Sequence, residues 1–155
     1  MLSKIAKLGA TLAAALSTLA SVSDAGAANL NTHASAFKSY NAGQAELADY
    51  VSAGVRTGAT GGLWVVAPVV RSPVSTTYQN FYIDGDNQTG STTQFYLYSF
   101  DYLGNLESSV SFDSSATGYS IFATLDPIST YSYVSLLAIL PGYYGGTVRG
   151  VTALD

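Results

Sequence analysis

The sequence predicts an all-β protein, an antiparallel β-sandwich of about eight strands on an immunoglobulin-like or jelly-roll-like plan, and three observations carry that expectation. Beyond residue 50, short runs rich in Val, Tyr, Phe and Leu alternate with clusters of Gly, Pro, Ser, Thr and Asp. The connections between runs are too short to hold a crossover helix, so hairpin-joined antiparallel neighbours are expected. Turn residues also stand where hairpins need them, as in "FDYLGNL" and "LPGYYGG". A small closed β-barrel is the rival arrangement.

Taken in order, the chain opens with "MLSKIAKLGATLAAALSTLASVSDAGAAN", in which Lys4 and Lys7 precede a short apolar centre and a small-residue Ala25-Gly26-Ala27 site. That is the plan of a secretory signal peptide over residues 1–28. The apolar centre falls short of the about 20 residues a membrane-spanning helix needs. Export to the periplasm, the cell surface or the medium is therefore expected, with no stable membrane insertion of the mature chain.

About 127 residues follow, one domain's worth. Their cations are Lys38, Arg56, Arg71 and Arg149 against nine acids, a net charge of about −5. Four dispersed cations cannot neutralise a phosphate backbone, so nucleic acid is excluded as a partner. Cysteine is absent. Disulfides, thiolate catalysis and cysteine-ligated zinc are excluded with it, and stability must come from packing.

Residues 29–49 read as an Ala-rich lead-in, either one or two short helices starting at Asn31 or Thr32 and interrupted near Asn41 to Gly43, or an extended segment pairing with an edge strand. The single β domain is expected over 50–155, with strands near 50–56, 63–71, 77–84, 93–101, 106–112, 118–124, 131–140 and 145–152. Pro68 has no amide to donate and marks an edge or a bulge. Leu136, Leu137, Ile139 and Leu140 are apolar on both faces, as in a central strand. Phe95 and Leu97 point one way from their strand and Tyr96, Tyr98 and Phe100 the other, so neither side is simply wet. The outer side is expected to be covered by the protein itself, since the twelve tyrosines serve mainly as amphipathic packing residues.

Chemistry-bearing constellations are few. His33 is the only histidine and no Gly-x-Ser-x-Gly elbow occurs, which argues against serine and zinc hydrolases. A small polysaccharide hydrolase would need two of Asp84, Asp86, Asp101, Glu107, Asp113 and Asp126 to converge across a cleft. "IDGDNQTGS" offers Asp84, Asp86 and Asn87 as oxygen ligands for Ca²⁺. It misses the helix-loop-helix calcium pattern, and Asp101 or Asp113 would have to complete the shell. The competing expectation is a polar hairpin loop. Asn87-Gln88-Thr89 also fits a glycosylation acceptor.

Flat aromatic faces combined with carboxylate and amide groups suit carbohydrate. Trp64, Tyr82, Tyr143 and Tyr144 with Asp84, Asp86 and Asn87 are the candidate ligand-binding residues, and Tyr96 and Tyr98 could join them. Trp64, the only tryptophan, cannot be assigned a face from sequence.

The stretches "YVSAGVRTG", "VVAPVVRSP", "QFYLYSFDYLGN", "YVSLLAILP" and "GTVRGVTAL" resemble the blocks of a group of small exported bacterial proteins without assigned function. The resemblance implies export and a β domain, and transfers no catalytic residue. Members often carry cysteines near such blocks; Ala67, Phe95 and Ala138 stand nearby here, so any disulfide of the group is absent. Arg56, Arg71 and Arg149 end these blocks and are expected at sheet margins, solvated or paired with Asp.

The functional expectation is a non-enzymatic exported module binding a glycan or envelope component. Its alternatives are a structural subunit of an extracellular homo-oligomer and a small polysaccharide hydrolase.

Overall fold

The computed structural model describes residues 29–71 and 77–154, so the signal-like segment lies outside the described residues. Eleven strands occur among them: β1 (Leu30–His33), β2 (Lys38–Ser39), β3 (Asp49–Val51), β4 (Gly54–Arg56), β5 (Leu63–Val69), β6 (Gln79–Asn87), β7 (Thr93–Phe100), β8 (Leu106–Ser114), β9 (Gly118–Leu125), β10 (Tyr133–Leu140) and β11 (Gly146–Leu154). They form two antiparallel sheets. One runs β3-β4-β11-β6-β9, with β1 also paired to β11, and the other runs β2-β5-β10-β7-β8. Neither sheet closes on itself, so the architecture is a sandwich and not a barrel.

Strict alternation builds the core. Leu63, Val65, Ala67 and Val69 of β5, Phe81 and Ile83 of β6, Phe95 and Leu97 of β7 and Val148 and Val151 of β11 all point inward and are buried. Burying each large apolar side chain contributes roughly 1.5–3 kcal/mol. Phe95 lies 5.4 Å from Phe112 and 5.6 Å from Tyr119, ring centre to ring centre, and these aromatics close one end of the core. Burial pushes the Tyr119 phenol well above its ordinary range, and its hydroxyl donates to the Thr147 carbonyl at 2.9 Å.

The lead-in proves to be both helical and extended. His33 caps a 3₁₀ turn at Ala34–Ala36 and Asn41 caps a second 3₁₀ helix at Ala42–Leu47, while β1 joins one sheet and β2 the other. Phe37 between them is fully buried in the core. The run read as one strand at 50–56 is a tight β3–β4 hairpin instead, turned at Ser52-Ala53. Leu136 and Leu140 lie in β10, the middle strand of its sheet. Pro68 lies beyond the two positions of β5 that β2 covers, so its missing amide disrupts no ladder there. The "FDYLGNL" turn forms as its residues require: the Asp101 carboxylate accepts from the amides of Leu103 and Asn105, each at 2.8 Å, and Gly104 takes φ 87°.

Candidate functional site

The outer face of the five-stranded sheet is aromatic. Because Leu63 and Val65 point inward, Trp64 points out, 43% exposed, with its ring centre 6.1 Å from Tyr40. Trp64, Tyr40, Asn41, Gln44 and Gly62 line a pocket of about 380 Å³ in which two rings face two amide side chains. Across β10, about 10 Å away at two strand spacings, β7 presents Tyr96, Tyr98 and Phe100 in a line. The Tyr96 and Tyr98 rings are 6.4 Å apart and within 8° of parallel, and Phe100 follows at 6.1 Å. Tyr133 of β10, in register with Phe100 and 67% exposed, extends the band. Leu137 lies between Val66 and Tyr96 on this face yet is only 6% exposed, so the band seals its own centre. Sequence reasoning passed over Tyr40 and Tyr133; Tyr133 had a usable signal, because it shares the outward parity of Ser135 and Leu137 in β10.

The outer face of the six-stranded sheet is polar. Tyr82, Asp84 and Asp86 alternate outward along β6, and the Tyr82 ring meets Phe122 edge-on at 5.5 Å. Asp86 accepts from the Arg149 guanidinium at 2.5 Å. The three oxygen ligands considered for calcium are not brought together here, for a physical reason. The stretch read as a loop is strand as far as Asn87, so pleating sends Asp84 and Asp86 outward and Asn87 inward. Asp101 caps its own turn and Asp113 belongs to the other sheet, so neither completes a shell. Among the described residues no group of three or more His, Cys, Asp or Glu could hold a metal ion. Gly85 is an inward strand position covered by the Tyr119 ring and the Thr147 carbonyl, and the expected polar hairpin turn forms after it, at Gln88–Ser91.

Asn87 is turned into the interior, away from Asp84 and Asp86. Its side-chain amide donates to the carbonyls of Ser114 at 2.8 Å and Ala116 at 3.1 Å, and its oxygen accepts from the Thr93 hydroxyl at 2.6 Å. Buried and fully engaged, it ties the end of β6 to the β8–β9 connection and offers no accessible amide for glycosylation.

Tyr143 and Tyr144 lie at the end of the sandwich, in the Gly142–Gly145 turn, with φ of 56° and 59°. Two successive non-glycine residues in the left-handed region cost roughly 1–2 kcal/mol each. Hydrogen bonds from their amides to the carbonyls of Ala59 and Thr57, at 2.9 and 2.7 Å, hold them there, and the Arg56 guanidinium lies 4.7 Å from the Tyr144 ring centre. The seven residues singled out from sequence thus divide among three surfaces and the interior.

Of the six acids weighed for a catalytic pair, Asp86, Asp101 and Glu107 are engaged within the fold. Glu107 is fixed by the hydroxyls of Ser99, Ser129 and Ser132. Burial pushes its carboxyl up, but these hydroxyls and the Ser129 amide together hold it below the usual carboxylate range, opposite to what a general acid needs. Asp86 is committed to Arg149, and Asp126 is exposed between β9 and β10. Arg56 pairs with Asp49 at 2.9 Å, as expected at a margin, whereas Arg71 donates to the carbonyls of Ser129, Thr130 and Ser132 and pins that loop.

No protein-family model and no curated protein sequence matches the chain. Solved structures do. A xylan-binding module, CBM15, aligns with a TM-score of 0.53 at 13% identity, over 83% of this chain and 97% of that one. The CBM36-1 domain of a multidomain xylanase from the hindgut metagenome of Trinervitermes trinervoides gives 0.55 at 8% identity, over 83% and 98%. A family 35 carbohydrate binding module from Clostridium thermocellum gives 0.53 at 18% identity, over 82% and 98%.

The chain shares its fold with these three modules. This corrects the resemblance to exported proteins without assigned function. The blocks that carried it are alternating apolar words, which any sandwich with one buried face per sheet repeats, so they cannot single out one group. Among the described residues no helix is long and apolar enough to cross a membrane.

Proposed function

We propose that the chain is an exported, non-catalytic glycan-binding module, with residues 1–28 as its secretory signal and the outer face of the five-stranded sheet as its sugar platform. One observation carries the reading: Trp64 and Tyr40 line one pocket with Asn41 and Gln44 at one corner of a face that continues in the half-buried rings of Tyr96, Tyr98 and Phe100 and the exposed Tyr133. Aromatic rings cover the apolar C–H faces of sugars, and amides fix the hydroxyls at the rim. An open band suits a polysaccharide chain better than a small enclosed ligand. Two of the similar structures are named for xylan or xylanase, which makes xylan the first polymer to try.

The subunit alternative draws less support, because Leu137 at the centre of the face is already covered without a neighbour. Native electrophoresis through gels containing soluble xylan or hydroxyethyl cellulose tests the proposal. Retardation that disappears in Trp64→Ala is expected. Unretarded migration in both polymers, together with an unchanged melting temperature across a panel of neutral oligosaccharides, overturns it.

A further inference from the structure

We infer that the outer face of the six-stranded sheet carries a second, smaller saccharide site centred on Asp84 and Gly150, which makes the module bivalent. The inference rests on the glycan-binding reading for its ligand class, and its own geometry is independent of the aromatic platform.

Four strands place His33 of β1, Gly150 of β11, Asp84 of β6 and Ser120 of β9 in a single cross-strand row. Gly150 leaves a notch in the middle of that row, because a side chain there is excluded: a Cβ would stand 2.7 Å from the Thr32 carbonyl oxygen. The result is a groove of about 580 Å³. That volume lies within the roughly 300–1,000 Å³ of small-molecule sites. The register shift between Val148 and Gly150 adds Arg149 as an extra residue, and its guanidinium is turned onto Asp86 at the groove's flank.

The donors and acceptors left over by the fold match a polyol. The Asp84 carboxylate makes no hydrogen bond or ion pair with any described residue. It is an acceptor in search of hydroxyl donors. The Ser35 amide donates to His33 Nδ1 at 3.1 Å, so the neutral imidazole carries its proton on Nε2 and offers a donor. Thr152 donates to the Asn31 oxygen at 2.6 Å, which leaves the Asn31 amide hydrogens as donors. Ser120 does either.

A carboxylate flanked by three donors suits neighbouring hydroxyls that each give one hydrogen bond and take another. A free anion would meet two carboxylates, Asp84 and Asp86, against the single guanidinium of Arg149. A cation would meet the donors of His33 and Asn31. In the next row, Tyr82 and Phe122 form an apolar wall beside Thr152 on which one face of a sugar ring can lie.

Calorimetric titration of the protein with xylohexaose tests the inference, with circular dichroism confirming that each variant folds. Wild type should bind two equivalents. Asp84→Asn, which removes the charge and replaces one acceptor oxygen by a donor, and Ser120→Phe, which fills the groove, should each bind one, and Trp64→Ala should lose the other. If both groove variants titrate like wild type, the second site is wrong. If wild type binds one equivalent that only Trp64→Ala removes, the groove fails while the glycan-binding reading stands. One equivalent that survives in Trp64→Ala and disappears in Asp84→Asn supports the groove and sinks the aromatic platform. No binding by wild type overturns both.

Discussion

The two outer faces of this sandwich rest on the same core and differ in nearly everything else. On β5, β10 and β7 the outward positions hold Trp64, Leu137, Tyr96 and Tyr98; on β6, β9 and β11 they hold Asp84, Asp86, Ser120 and Thr152. Both faces arise from one rule, the period of two, applied to different residues. The first is suited to exchanging water for flat apolar contact, which is non-directional and sets affinity. The second confines its exposed apolar area to the Tyr82–Phe122 pair and would work mainly through directional hydrogen bonds, which set which hydroxyls fit. Burial alone does not separate a structural face from a binding face; what separates them is whether the outward groups are already satisfied, as Asp86 is by Arg149 and Asp84 is not.

The largest effect expected from perturbing this contrast is on the polar sheet from beneath. Gly85→Ala drives a methyl group into the Tyr119 ring and the Thr147 carbonyl and should destabilise the fold by about 1–3 kcal/mol in urea unfolding. A neutral result would show that the aromatic lid over Gly85 yields freely. On the opposite face, Trp64→Ala should weaken xylan binding by about tenfold or more, equivalent to about 1.4 kcal/mol, while leaving the urea midpoint nearly unchanged because the side chain is half exposed. Equal losses of stability and binding would make Trp64 a packing residue.

Between the faces, at the sandwich end, Tyr143→Gly should raise stability by up to about 1 kcal/mol by relieving the left-handed backbone, offset by the entropy glycine adds to the unfolded chain. Tyr144→Gly should not, since it removes the ring beside Arg56.

The smallest effect is confined to acid. The Glu107 carboxyl is held below its ordinary range in the folded protein, so its contribution is present above the unfolded value of about 4.3 and is lost as pH falls through the folded value. Glu107→Gln should flatten the melting temperature's fall over that acid window, and an unchanged slope would contradict the hydroxyl cradle.

Alternation made the long strands legible. Alternation puts Phe95 and Leu97 on one side of β7 and Tyr96 and Tyr98 on the other, as the structure has them, and connections too short for helices imply the antiparallel sheets. The pieces at Leu30–His33, Lys38–Ser39 and Asp49–Val51 were not legible, because two to four residues carry no periodic signal and are strands only through tertiary pairing. Asp84 to Asn87 misled for the opposite reason: Asp, Gly and Asn are the residues of turns, yet here the strand runs through them because Gly85 lets Tyr119 close over it. The face of Trp64 is hard to read from sequence although Leu63, Val65, Ala67 and Val69 all have inward character, because Pro68 in the same run obscures the alternation. The groove at Gly150 was invisible, since it depends on a register across four strands that only the assembled sheet defines.

Because Trp64 is the only tryptophan in the chain, its emission reports directly on the proposed platform. Titration of the protein with xylohexaose, and with cellohexaose in parallel, should produce a saturable shift and intensity change in tryptophan fluorescence for at least one of the two. Emission that stays constant through saturating concentrations of both sugars would contradict the claim that the outer face of the five-stranded sheet binds glycan.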